Sequence, residues 1–128
     1  MTYLEAADFL QSRDNYLILT HKRPDGDTIG SAVGLCELLR RLGKTAHLLA
    51  SLDATSLFTD YLEGHVAPED FQPDTVVSVD VASLGLLPEN AAPYKDRIDL
   101  AIDHHPSNEF FAKETCLEAD KSACGEII

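Results

Sequence analysis

Three short apolar runs each lead directly into residue types that ligate metals. Tyr16–Leu19 leads to His21, Thr75–Val79 to Asp80, and residues 100–102 to Asp103, His104 and His105. Unbroken apolar runs of strand length fit strands covered on both faces of a sheet, the usual condition of parallel strands. Helix-like stretches separate them. Residues 2–12 carry Leu4, Ala7, Phe9 and Leu10 among polar positions, with Thr2 and Glu5 in the spacing of a capping box. In residues 29–42 the polar positions Gly34, Glu37, Arg40 and Arg41 recur every three to four residues. They leave an apolar face of Val33, Leu35, Cys36, Leu38, Leu39 and Leu42, closed by Gly43.

Residues 45–50 read as a further strand, 56–63 as a short helix and 115–117 as a short edge strand. Residues 84–94, which contain Pro88 and Pro93, read as a broken helix or loop. Residues 122–128 resemble the opening turns of another helix. Strands and helices in this alternation predict an α/β fold, a predominantly parallel sheet with helices on both faces.

At 128 residues the chain is at most one domain. No apolar run approaches a membrane span, and the start lacks the basic and hydrophobic regions of a signal peptide. Cys36, Cys116 and Cys124 match neither a zinc knuckle nor a disulfide framework, which fits reduced thiols in the cytoplasm. With 22 Asp and Glu against 10 Lys and Arg, the formal charge is -12. Gripping long duplex nucleic acid requires clustered cations, so this balance argues against that role.

The chemistry concentrates after the first strand, in HKRPDGDTIGS, residues 21–31. His21, Asp25 and Asp27 place one imidazole and two carboxylates on a turn shaped by Pro24 and Gly26. Such a loop can converge ligands on manganese, iron, zinc or magnesium. In open α/β sheets, ligands sit beyond the carboxyl ends of the strands, which is where this loop falls. Asp80 ends a buried run at the same edge. In Asp103–His104–His105, one histidine can bind metal while the other faces substrate, and Asp103 can orient an imidazole. Each feature has a plainer use: Asp25–Gly26 as a turn, Asp27, Thr28 or Asp80 as a helix N-cap, paired histidines as a surface loop. Three strands ending alike on one edge make that joint coincidence hard to sustain.

The order His-x-x-x-Asp-x-Asp, Asp-x-x-Ser, Asp-His-His resembles the first three motifs of the DHH phosphoesterase superfamily, over residues 16–128. HKRPDGDTIGS and DHHPSN are most similar to the branch of bifunctional oligoribonucleases and phosphatases of 3'-phosphoadenosine 5'-phosphate (pAp), the nanoRNases. The resemblance implies that His21 and Asp25 hold one cation, Asp27 and His104 a second, and that Asp80 bridges them. Asp120 fits the family's fourth motif as a ligand of the second cation, or caps a helix. His105 would contact the substrate phosphate, and Asp103 would support the histidines.

Two cations, manganese first and magnesium second, would activate a hydroxide for in-line attack on phosphorus. Short oligonucleotides or nucleotides are the expected substrates, with no membrane partner; a homodimer is compatible with the sequence. Other activities in the superfamily are those of cyclic dinucleotide phosphodiesterases, RecJ-type exonucleases and inorganic pyrophosphatases. A metal- or nucleotide-binding module without turnover is the alternative from another class. Residues 1–128 are expected to be the catalytic domain alone, without the C-terminal substrate-binding domain of family members. The final Glu126, Ile127 and Ile128 would then be an interrupted helix of a longer enzyme. Such a fragment is expected to bind metal and hydrolyse poorly.

Overall fold

The computed structural model describes residues 3–20, 26–49, 65, 67–68, 71–81, 83–87, 89–104, 108 and 111–117. Its strands are β1 (Tyr16–Leu19), β2 (Ala46–Leu48), β3 (Thr75–Val79), β4 (Leu100–Asp103) and β5 (Glu114–Leu117). They form one five-stranded sheet in the order β2-β1-β3-β4-β5, and every neighbouring pair is parallel. The helices are α1 (Tyr3–Ser12), α2 (Gly26–Arg41) and two short 3-10 segments, Leu84–Leu86 and Glu89–Tyr94. Pro93 lies inside the second of these, so the expected broken helix resolves into two tight turns. The α/β class and the parallel sheet agree with the sequence reading. The expected helices over 56–63 and 122–128 lie outside the described residues. Among the described residues, no helix is long and apolar enough to cross a membrane.

The apolar runs are strands because both of their faces are buried. Tyr16, Ile18, Val77, Val79, Leu100 and Ile102 pack on one side with Ala6, Leu10, Ala32, Leu35, Cys36 and Leu39 from α1 and α2. Leu17, Leu19 and Val76 face the other side, against Val81, Leu87, Ala91 and Ile98. Each fully buried Leu, Ile or Val contributes about 1.5–3 kcal/mol relative to exposure. Cys36 and Cys116 are buried, and neither is in a disulfide. Burial pushes the Cys36 thiol up, so it behaves as a small core residue.

The structure corrects α2 at both ends. The helix opens at Gly26, three residues before the start expected from periodicity. Glycine's penalty in a helix is one of backbone entropy, about 1 kcal/mol, and does not bar it from the first turn. Asp27 and Thr28 therefore lie inside the first turn and do not cap it. The buried stripe is Ala32, Leu35, Cys36 and Leu39, whereas Leu38 and Leu42 are 43% and 49% exposed. At about 100° per residue, Leu38 points roughly 110° from the centre of that stripe, and Leu42 lies beyond the last turn. Gly43 closes the helix as expected, with φ +83°. Its N–H donates to the Arg40 carbonyl at 3.0 Å and that of Lys44 to the Leu39 carbonyl at 3.0 Å, the paired bonds of a Schellman motif.

Candidate metal centre

The order of strand addition reverses between β1 and β3. β2 lies outside β1 on one side, and β3, β4 and β5 extend the sheet on the other. The carboxyl edge at such a reversal is where open α/β sheets bind ligands, because the loops there part in opposite directions. Leu19, the last residue of β1, pairs with Ser78, two residues before Asp80.

β3 ends at Val79, whose register partner on β4 is Ile102. The Asp80 N–H still donates to the Ile102 carbonyl, at 2.9 Å. The backbone then turns sharply, with a φ of 62° at Asp80. Aspartate is among the few residues besides glycine that enter this left-handed region readily. The side chain is not a helix cap, because Ser83 holds the N-cap position of Leu84–Leu86. Asp80 is buried, and a carboxylate in that setting is costly unless paired or coordinated.

β4 runs one residue further than expected and includes Asp103, which pairs in register with Leu117. Asp103 is wholly buried. Its Oδ1 accepts the backbone N–H of His104 at 2.8 Å, and its Oδ2 accepts an amide hydrogen of Asn108 at 2.8 Å. Hydrogen bonds to a charged acceptor are the stronger kind, and two of them satisfy a carboxylate that the apolar sheet would otherwise penalise. Asp103 thereby holds the backbone that carries the His104 imidazole.

His104 Nε2 lies 3.0 Å from Asp80 Oδ1. Ligand atoms of Asp80, Asp103 and His104 all fall within 4.8 Å of one another. Around a cation about 2.1 Å from its oxygen and nitrogen donors, neighbouring donors stand about 3.0 Å apart and opposite ones about 4.2 Å. The Asp80–His104 contact is an ion pair by its length, and the same separation suits adjacent donors on one ion. One imidazole with carboxylates suits manganese, iron or zinc, and the carboxylates suit magnesium. The residues present therefore fit a divalent cation.

The match that decides the family covers most of the chain: the model for the DHH family, N-terminal domain, fits residues 15–128. The chain belongs to the DHH family. This DHH domain is similar to an uncharacterized protein of Methanocaldococcus jannaschii, at 29% identity over 133 residues, covering 98% of this chain and 40% of that protein. It is also similar to the bifunctional oligoribonuclease and PAP phosphatase NrnA of Thermus thermophilus. There the identity is 31% over 113 residues, covering 87% of this chain and 34% of that one. Its fold matches the crystal structure of an exopolyphosphatase-related protein from Bacteroides fragilis with a TM-score of 0.75. That match has 21% identity and covers 98% of this chain and 41% of the other. The DHH domain therefore spans about two fifths or less of the length of these relatives.

Of the remaining expected site residues, His21, Asp25, His105 and Asp120 lie outside the described residues, and of Asp27 only the backbone is described. Among the described residues the structure brings together Asp80, Asp103 and His104. It also adds Asn108, to which the sequence reading gave no role. An asparagine two positions after a proline looks like ordinary turn chemistry, and spacing alone does not reveal which carboxylate it meets.

Proposed function

We propose that this DHH domain is the metal-holding catalytic domain of a phosphoesterase acting on short oligoribonucleotides or pAp. The observation that carries this reading is the 3.0 Å approach of His104 Nε2 to Asp80 Oδ1 across the carboxyl ends of two adjacent strands. Family membership and the similarity to NrnA support the substrate class.

In this reading His21, Asp25, Asp27, Asp80 and His104 would hold two divalent cations, manganese by preference, with Asp80 contributing to both and Asp120 as a further ligand. Such cations would supply an activated water nucleophile and offset charge on the phosphoryl oxygens. The chain's own residues orient the reaction. Asp103 fixes the His104 backbone at the carboxyl end of β4, from which the imidazole reaches Asp80 Oδ1 with Nε2. His105 follows His104 directly and would donate to a phosphate oxygen. The second domain implied by the family resemblance would complete the phosphate clamp and exclude water, so residues 1–128 alone should hydrolyse poorly.

The test is a manganese titration by calorimetry, followed by assays of nucleotide release from a diribonucleotide, pAp and a cyclic dinucleotide, and of orthophosphate release from pyrophosphate. Manganese binding with slow turnover of the first two substrates is the expected result. Preference for a cyclic dinucleotide or pyrophosphate would move the protein to another branch. Metal binding without any turnover, even when a second domain is supplied, would make it a binding module. Failure to bind manganese would overturn the reading.

A further inference from the structure

Asn108 belongs to the segment between β4 and β5 and is buried, with 6% of its surface exposed. Its Nδ2 donates to Asp103 Oδ2 at 2.8 Å and makes a longer contact, 3.4 Å, with the Val81 carbonyl. Both partners are acceptors. The reversed amide would set its oxygen against a carboxylate and a carbonyl, so only the NH2 group can occupy this position. The other oxygen of Asp103 accepts from the His104 N–H. One hydrogen-bonded path therefore runs from Val81, the neighbour of Asp80, through Asn108 and Asp103 to the backbone of His104. Its two ends adjoin the two residues whose side chains meet at 3.0 Å.

We propose that Asn108 is a positioning residue of the metal centre, setting the plane of the Asp103 carboxylate and, through it, the placement of His104 opposite Asp80. This rests on the reading of the cluster as a metal site. The physical case is one of degrees of freedom. A carboxylate held at one oxygen can rotate about its Cβ–Cγ bond, whereas one held at both oxygens cannot. A backbone amide bonded to a fixed carboxylate is fixed in turn. Partners of this kind, one step removed from the metal, are worth about 10–100-fold in metal affinity.

The experiment compares wild type, Asn108→Ala, Asn108→Ser, Asp103→Ala and the double variant Asp103→Ala/Asn108→Ala. Manganese affinity is measured by calorimetry, and the thermal midpoint of each metal-free protein is measured in chelator. Asn108→Ala should bind manganese about 10–100-fold more weakly at temperatures well below its midpoint. Asn108→Ser keeps a hydroxyl donor, on Cβ where asparagine carries its amide on Cγ, and should lose less. If Asn108 acts through Asp103, its removal should add little to the loss already caused by Asp103→Ala.

Wild-type affinity in Asn108→Ala would overturn the inference and leave the metal centre standing. So would a full additional penalty in the double variant, or a serine variant no better than alanine. Both Asn108 variants melting below the assay temperature in chelator would assign the residue to the fold and overturn the inference as well. Absence of manganese binding by wild type would remove the proposed function, and this inference with it.

Discussion

Asp80 and His104 meet at 3.0 Å although they leave different strands, because Val79 and Ile102, one residue before Asp80 and two before His104, are register partners. The approach is thus a property of the β3–β4 ladder, and it occurs where the backbone of Asp80 is in the left-handed region. A side chain other than glycine in that region costs on the order of 1 kcal/mol, which asparagine and aspartate reduce.

Asp80→Gly should separate the two roles of the position. Glycine adopts the observed φ freely but gives up the contact with His104 Nε2 and adds chain entropy to the unfolded state, so the metal-free protein should stay within about 1 kcal/mol of wild type. Manganese binding should fall below detection by calorimetry. Thermal melting in chelator and a manganese titration read the two effects independently. A variant that still bound manganese tightly would exclude Asp80 as a ligand.

The orientation of α2 predicts a sharp contrast between neighbouring leucines. Leu39 is fully buried against the sheet, while Leu38 is 43% exposed. Leu39→Ala should cost about 2–5 kcal/mol, and Leu38→Gln or Leu42→Lys should stay within about 0.5 kcal/mol of wild type. Urea unfolding monitored by circular dichroism measures both. Comparable losses at positions 38 and 39 would mean that the buried stripe is misassigned.

At the C-terminus of the same helix, Gly43 sits at φ +83° and donates one of the two closing hydrogen bonds. Gly43→Ala should destabilise by about 1–2 kcal/mol through the left-handed backbone alone. Gly43→Asn should cost less. A neutral alanine variant in the same unfolding assay would show that the turn relaxes to another conformation.

Tyr16 gives the protein an alkaline limit. Its hydroxyl donates to the Leu10 carbonyl within the core. Burial, and secondarily the charge of Asp14, raises the phenol from 10.0 to about 12. The folded state favours the neutral phenol. The unfolded chain ionises first as pH rises, so this contribution is complete below pH 10 and declines from 10 to about 12. Tyr16→Phe should cost about 1 kcal/mol at neutral pH by orphaning the Leu10 carbonyl. It should also flatten the alkaline decline in a stability–pH profile. An unchanged slope would place the decline on other groups.

Much of the architecture was legible in the chain itself. β1 and β3 occupy the residues expected of them, and β4 differs by one, because unbroken apolar runs have few alternatives to a doubly covered strand. The face of α2 was less legible. Leu38 and Leu42 carry the same apolar signal as Leu35 and Leu39, and only the packing distinguishes them. Asp80 and His104 were expected at one sheet edge from the ends of two runs, but the left-handed turn that aims Asp80 has no marker in sequence. Asn108 was the least legible, since its role depends on a tertiary meeting with Asp103.

The two strands that deliver Asp80 and His104 are joined through a crossover, so an unfolded chain scatters these donors and offers a divalent ion no ready-made chelate. Such an ion would select the native ensemble by mass action, adding about 1.4 kcal/mol of stability for each tenfold rise in concentration above its dissociation constant. Resistance to heat would then track the free level of that ion, and its depletion would loosen the protein.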